Sequence, residues 1–242
     1  MKLYERYHSG RKLQRFIIDD NNFVHRTLIY FLNKYRKFGC KVLDIGCGVG
    51  TIDFYLAKRG KNVTGIDISQ NSISIAKKNA EYFKLNKKIV FKVLEFSNKL
   101  PSGKFNIIIC SEVLEHLKHD KAAVEKIKTL LTSGGILIAS SPSQNSSLYR
   151  WGLLNWFEKE VGHLRRYTEE SYRNLFEKAG FKILETKKTE GILRNLLFTN
   201  PVGGFSLKVL RRWPFSVVIS FLDDLVIPIF GESNIYLVAK KQ

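Results

Sequence analysis

The chain has 242 residues, 44% hydrophobic and 26% charged, enough for one domain with a full core and unlike a disordered segment. Its 40 Lys and Arg against 22 Asp and Glu give a formal charge of +18. Such an excess either attracts an anionic partner (nucleic acid, an acidic membrane surface, an anionic substrate) or serves solubility alone. Cys40, Cys47 and Cys110 make neither a disulfide framework nor a zinc pattern, and no apolar leader is visible, so buried thiols in a cytoplasmic protein are expected.

Residues 1–40 form the first predicted unit, a helical cap. Residues 1–41 carry ten Lys or Arg against three acids, interleaved with Tyr4, Tyr7, Phe16, Phe23, Tyr30, Phe31 and Tyr35. The pattern suits an amphipathic helix that packs its aromatic face on the domain and closes over a ligand cleft. The core unit, 41–189, opens with Lys41-Val-Leu-Asp-Ile-Gly-Cys-Gly-Val-Gly-Thr51. An apolar strand runs into Gly46, Gly48 and Gly50, whose lack of a Cβ lets the backbone turn tightly against a ligand. A phosphate-binding loop would need Lys-Ser/Thr after the last glycine, and the dinucleotide fingerprint would need glycine where Thr51 stands. Asp44 would repel a pyrophosphate and suits a cationic ligand. After a helix over 52–59, the strand Asn62–Ile66 ends at Asp67, 23 residues beyond Asp44. That acid is placed to accept hydrogen bonds from vicinal ribose hydroxyls. Alternatively it caps the helix near Gln70, a role Ser69 can also fill.

The loop with its two acids resembles the first motifs of the class I methyltransferases that use S-adenosylmethionine. The resemblance implies a Rossmann-like α/β fold with a doubly wound, seven-stranded, mostly parallel sheet, helices on both faces and an antiparallel last strand. The later pattern agrees: a helix over 72–85, a strand over 88–94, a strand over 105–110, a helix over 113–131 and a strand over 136–140. A helix over 171–179, a strand over 181–186 and a last strand over 234–240 complete it. The resemblance assigns cofactor contacts to Asp44, Gly46, Cys47, Gly48, Gly50, Asp67, Ile68 and Ser111. It also gives Glu95 the adenine amine and Phe96 a backbone contact and an apolar wall, although the family more often has Gly-Asp where Leu94-Glu95 stands.

Ligands of such sheets bind at the carboxyl ends of the strands, where the strand over 105–110 leads into Ser111-Glu-Val-Leu-Glu-His116. If a helix starts near Glu112, then Glu112, Glu115 and His116 share one face and can bind a divalent cation such as Mg2+. The spacing resembles that of the ubiquinone-pathway O-methyltransferases and of the small-RNA 3′-terminal ribose 2′-O-methyltransferases. In both a later histidine completes a metal site, and here His163 is the candidate. Without a metal, His116 or His163 is a general base, with Glu112 beside it. Arg165 and Arg166 either bind an anionic group of the substrate or pair with Glu158 or Glu160, and Tyr167 reads as pocket wall.

Residues 190–232 form an apolar insert, broken by charges and prolines too often to cross a bilayer, before the final strand unit 233–242. It is a lid, a dimer surface or a peripheral contact with an anionic membrane. The leading expectation is O-methylation of a small apolar or lipid-linked acceptor, such as a quinone precursor or a polyprenyl- or glycan-linked intermediate. RNA ribose 2′-O-methylation is the alternative, and a non-catalytic cofactor-binding scaffold the third.

Overall fold

The computed structural model describes residues 13–96, 98–199 and 215–242. Five parallel strands form its centre: β1 (Lys41–Ile45), β2 (Asn62–Asp67), β3 (Ile89–Val93), β4 (Phe105–Ser111) and β5 (Leu131–Pro142). With β6 (Phe181–Thr189) and β7 (Asn234–Lys241) the order is β3-β2-β1-β4-β5-β7-β6, and β7 runs antiparallel to both neighbours. The expected doubly wound sheet is present.

Alternation along the strands divides the interior into two cores. Val42, Ile107 and Ile136 point to one face, packed by α1 (Arg26–Lys34), α2 (Thr51–Lys58) and α3 (Gln70–Tyr82). Leu43, Ile108 and Leu137 point to the other, covered by α4 (Asp120–Leu130). Two short helices follow β5, α5 (Ser147–Arg150) and α6 (Asn155–Val161), and then α7 (Glu169–Lys178) joins the second core through Tyr172 and Phe176. Between β6 and β7 lie α8 (Ile192–Thr199) and α9 (Phe215–Phe230). Of the apolar insert, Phe205, Leu207, Val209, Leu210 and Trp213 lie outside the described residues, as do Tyr4 and Tyr7 of the cap.

Two expectations are corrected here, and the described part of the cap is placed. No helix starts at Val113: Glu112 has φ +56°, Leu114–His116 is a single 3-10 turn, and Leu117 is extended before α4 begins at Asp120. Of the N-terminal cap, residues 1–12 lie outside the described residues, and the described helix is α1. It buries Leu28, Ile29, Phe31 and Leu32 against the sheet, with the Phe31 ring 6.0 Å from that of Tyr236 on β7. An extended stretch before it does reach the loop, where Gln14 accepts from the Thr51 hydroxyl and takes Asn79 as its backbone partner. Finally, Cys40 is exposed, whereas Cys47 and Cys110 are buried.

Because Phe31 is fully buried between α1 and β7, truncating it leaves a cavity in the main core. Phe31→Ala is expected to cost about 3–5 kcal/mol in urea unfolding, with the native circular dichroism spectrum retained.

Candidate active site

All three loop glycines adopt positive φ, at +77° for Gly46, +55° for Gly48 and +87° for Gly50. At Gly50 a Cβ would also lie 2.6 Å from the Phe91 ring, so the chain passes where no side chain fits. The loop is tied to β2 by the Gly46 and Cys47 amides, which both donate to the Ile66 carbonyl at 2.8 and 3.0 Å. Asp67 completes the tie: Oδ2 accepts from Gly48 N at 2.9 Å and Oδ1 from Ser69 N at 2.8 Å. Ser69 is the α3 cap, its Oγ accepting from Ser72 N, so Asp67 is left to the loop. Ile68 beside it is half-buried. Burial, with the charges of Asp53, Asp44 and Asp67, pushes the Cys47 thiol well up, which removes it as a nucleophile.

Asp44 projects from β1 toward α2 and is 5% exposed. There it meets Asp53, an acid in the first turn of an otherwise apolar helix. Burial and the charge of Asp53 raise Asp44 well above the usual carboxylate range. Burial raises Asp53 as well. Sequence reasoning passed over Asp53, although a single acid among Ile52, Phe54, Tyr55, Leu56 and Ala57 was a signal of enforced burial.

At the end of β3, Glu95 is exposed and its carbonyl accepts from the Asn98 and Lys99 amides. The Phe96 ring is buried in the second core instead of lining an open wall. Ser111 shares a hydrogen bond with Ser140 Oγ at 2.7 Å across β4 and β5.

The structure brings together three of the four expected acceptor-side residues. Ligand atoms of Glu115, His116 and His163 lie within 4.8 Å of one another. Two backbone features create this convergence. The 3-10 turn carries Glu115 and His116 inward, and the Leu164 amide donates to the Glu115 carbonyl at 2.9 Å, which pins the His163 segment beside them. Each imidazole is oriented through Nδ1, by the Gly162 carbonyl for His116 (3.2 Å) and by Glu158 for His163 (3.1 Å). Glu115 is wholly buried; Oε2 accepts from Ser141 Oγ at 3.0 Å, and Oε1 has no partner among the described residues. Burial and then the Glu112 charge raise its carboxyl well above the usual range. Burial and the neighbouring His163 lower His116 to about 4, so it is a neutral imidazole at neutral pH.

Glu112 stands apart from this cluster. Its left-handed backbone turns the side chain toward β5 and β7, where Oε1 accepts from Ser140 Oγ at 2.9 Å and Asn234 Nδ2 at 2.8 Å. Arg165 and Arg166 are likewise not free for an anion. Arg165 pairs with Asp120 at 2.7 Å. Buried Arg166 donates to both oxygens of Glu158 and to the Ser143 carbonyl, and stacks on Tyr149. The Tyr167 hydroxyl donates to Asp120 at 2.7 Å, and its ring belongs to the second core.

A family model described as a methyltransferase domain matches residues 10–186. The ubiquinone biosynthesis O-methyltransferase of Idiomarina loihiensis is 29% identical over 173 residues, 70% of this chain and 70% of that protein. Its namesake in Coxiella burnetii is 35% identical over 127 residues, 52% of this chain, so the chain spans about half (54%) of that relative. In fold, the chain is similar to magnesium protoporphyrin IX methyltransferase from Synechocystis with bound S-adenosylhomocysteine. That likeness has a TM-score of 0.64 at 20% identity and covers 100% of this chain and 94% of the other.

Glu158 anchors the His163 side of the cluster. Burial works to raise its carboxyl, but hydrogen bonds from His163 and Arg166 hold it down to about 2. A carboxylate so lowered stabilises the fold above its unfolded range and loses that stabilisation as pH falls through about 2. Glu158→Gln is therefore expected to cost about 1–3 kcal/mol in urea unfolding at pH 7. The difference from wild type should shrink as the same measurement is taken toward pH 2.

Proposed function

The chain belongs to the methyltransferase-domain family and is an S-adenosylmethionine-dependent methyltransferase, and from that premise we propose that it methylates an oxygen of a small apolar or lipid-linked acceptor. A quinone precursor fits this description, as does a polyprenyl- or glycan-linked intermediate. The observation that carries the reading is the convergence of Glu115, His116 and His163 close to the glycine loop. Val113 connects the two, since its methyl group fills the space a side chain at Gly46 would take.

The cofactor supplies an electrophilic methyl group on a sulfonium, which an oxygen attacks in line. In our reading Asp67 faces the ribose, Asp44 the cationic end, and the loop backbone from Gly46 to Gly50 the rest of the nucleoside. Ile68, Glu95, Phe96 and Ser111 border it. The acceptor hydroxyl must lose a proton as it attacks. His116, uncharged at neutral pH, can take it as a base that burial weakens, and Glu158 keeps the His163 imidazole turned toward the same point. The donor set of one carboxylate and two imidazoles, with one buried carboxylate oxygen unpartnered, also fits a divalent cation. A cation such as Mg2+ held there by Glu115, His116 and His163 would lower the pKa of a catechol-like hydroxyl.

The insert supports an apolar acceptor over RNA. Helix α9 is inverted: Ser216, Ser220 and Asp223 are buried, while Phe215, Val217, Val218, Phe221, Leu222, Leu225 and Ile229 are exposed. Exposed Trp151, Leu153 and Trp156 follow β5. No helix among the described residues is long and apolar enough to cross a membrane. Together with the +18 charge, this apolar face suits peripheral contact with an anionic bilayer.

Titration calorimetry is expected to show S-adenosylmethionine binding weakened at least tenfold by Asp44→Ala and by Asp67→Ala. Unchanged affinity would overturn the cofactor contacts. Incubation of the enzyme with the cofactor and catechol-bearing polyprenyl lipids should give products heavier by one methylene in mass spectrometry, with His116→Ala slower by about 100-fold or more. Loss of activity to EDTA and recovery with magnesium or manganese would assign the cluster to a metal. Indifference to the chelator would leave the imidazole alone as base.

A further inference from the structure

Asp53 has no part in the chemistry above, yet it lies under the glycine loop with no exposed surface. Neither of its carboxylate oxygens has a hydrogen-bond donor among the described residues. Its position is fixed by strand register. Asp44 on β1 pairs with Gly65 on β2, and a Cβ at Gly65 would sit 2.8 Å from Asp53 Oδ1. The Asp53 carboxyl therefore rests on the bare backbone of Gly65, on the same face of the sheet as the Asp44 side chain and close enough for its charge to act on Asp44. Two buried carboxylates so placed cannot both stay ionised at modest cost.

We propose that Asp53 is a positioning residue that sets the charge of Asp44: the two carboxyls share one proton in the free protein, and binding of the cationic methyl donor releases it. Asp67 at the end of β2 acts on both carboxyls, and the Cys47 thiol in the loop, raised by burial and by all three acids, is neutral beside them. The Asp67 carboxylate favours retention of the proton. Arrival of a sulfonium and an ammonium inverts that balance. The carboxyl O–H bond breaks, the proton passes to solvent, and both carboxylates remain to face the donor. The inference rests on the S-adenosylmethionine assignment, and the heat of wild-type binding tests that assignment separately.

The test is titration calorimetry of S-adenosylmethionine binding to the full chain between pH 6 and pH 9, in buffers of different ionisation enthalpy. Wild type is expected to release about one proton per cofactor at the acid end of this range, with affinity rising by up to tenfold per pH unit before it levels. Asp53→Asn keeps the shape and offers Asp44 an amide donor, so it should release almost no proton and bind with little pH dependence. Equal proton release by wild type and Asp53→Asn would overturn the proposal. A second measurement needs no variant. Infrared difference spectra of the wild-type protein should show a protonated-carboxyl band at neutral pH that disappears when the cofactor binds. A band unchanged by the cofactor would also overturn it.

Discussion

The glycine-loop end of the molecule depends on one carboxylate whose two oxygens each take a backbone amide. Asp67 receives the Gly48 amide on one oxygen and the Ser69 amide on the other, joining the glycine loop to the start of α3. Three residues at positive φ have little intrinsic preference for this particular path, since glycine pays the largest conformational entropy on being fixed. The Ile66 carbonyl and Asp67 impose it from outside. The loop is thus a feature of two strands held in register, and whatever fixes the β1–β2 pairing also fixes its shape.

How much of this was legible in the sequence varies with the range of the interaction. The strands were legible because apolar runs such as Ile107 to Ile109 are buried on both faces, and Asp67 because an acid closing the second strand has a place in the fold. The acceptor side was only partly so. Glu112, Glu115 and His116 have the spacing of a helical face, but a 3-10 turn accommodates the same i, i+3 relation, and nothing local announces the left-handed Glu112. Its carboxylate is claimed by Asn234, 122 positions later, a partner no window could contain. For Arg165 and Arg166 the sequence left an anion site and an ion pair both open, and Arg166 does pair with Glu158. Two guanidiniums beside a histidine suit either until Asp120 and Glu158 are seen to occupy them.

The inverted character of α9 also has a local cause. Asp223 accepts from the amides of Gly191 and Arg194, capping the start of α8 from a neighbouring helix. Gly191 has no Cβ, which would otherwise lie 2.6 Å from the Asp223 carbonyl, so the two helices can approach this closely. Buried Arg194 then stacks on the rings of Phe23 and Phe198. A polar seam joins these elements and leaves the greasy side of α9 outward, the reverse of a helix folded for its own core.

The placement of β7 bears on how the protein folds. It follows every other strand in the chain yet lies between β5 and β6, and β6 pairs with nothing else in the sheet. During synthesis β6 and α7 therefore emerge before the strand that joins them to the rest. Until β7 threads in, β5 presents an open apolar edge of the kind that invites pairing with another chain. The first five strands can assemble around the glycine loop early, while the Glu112 side chain, which accepts from Asn234, waits for β7.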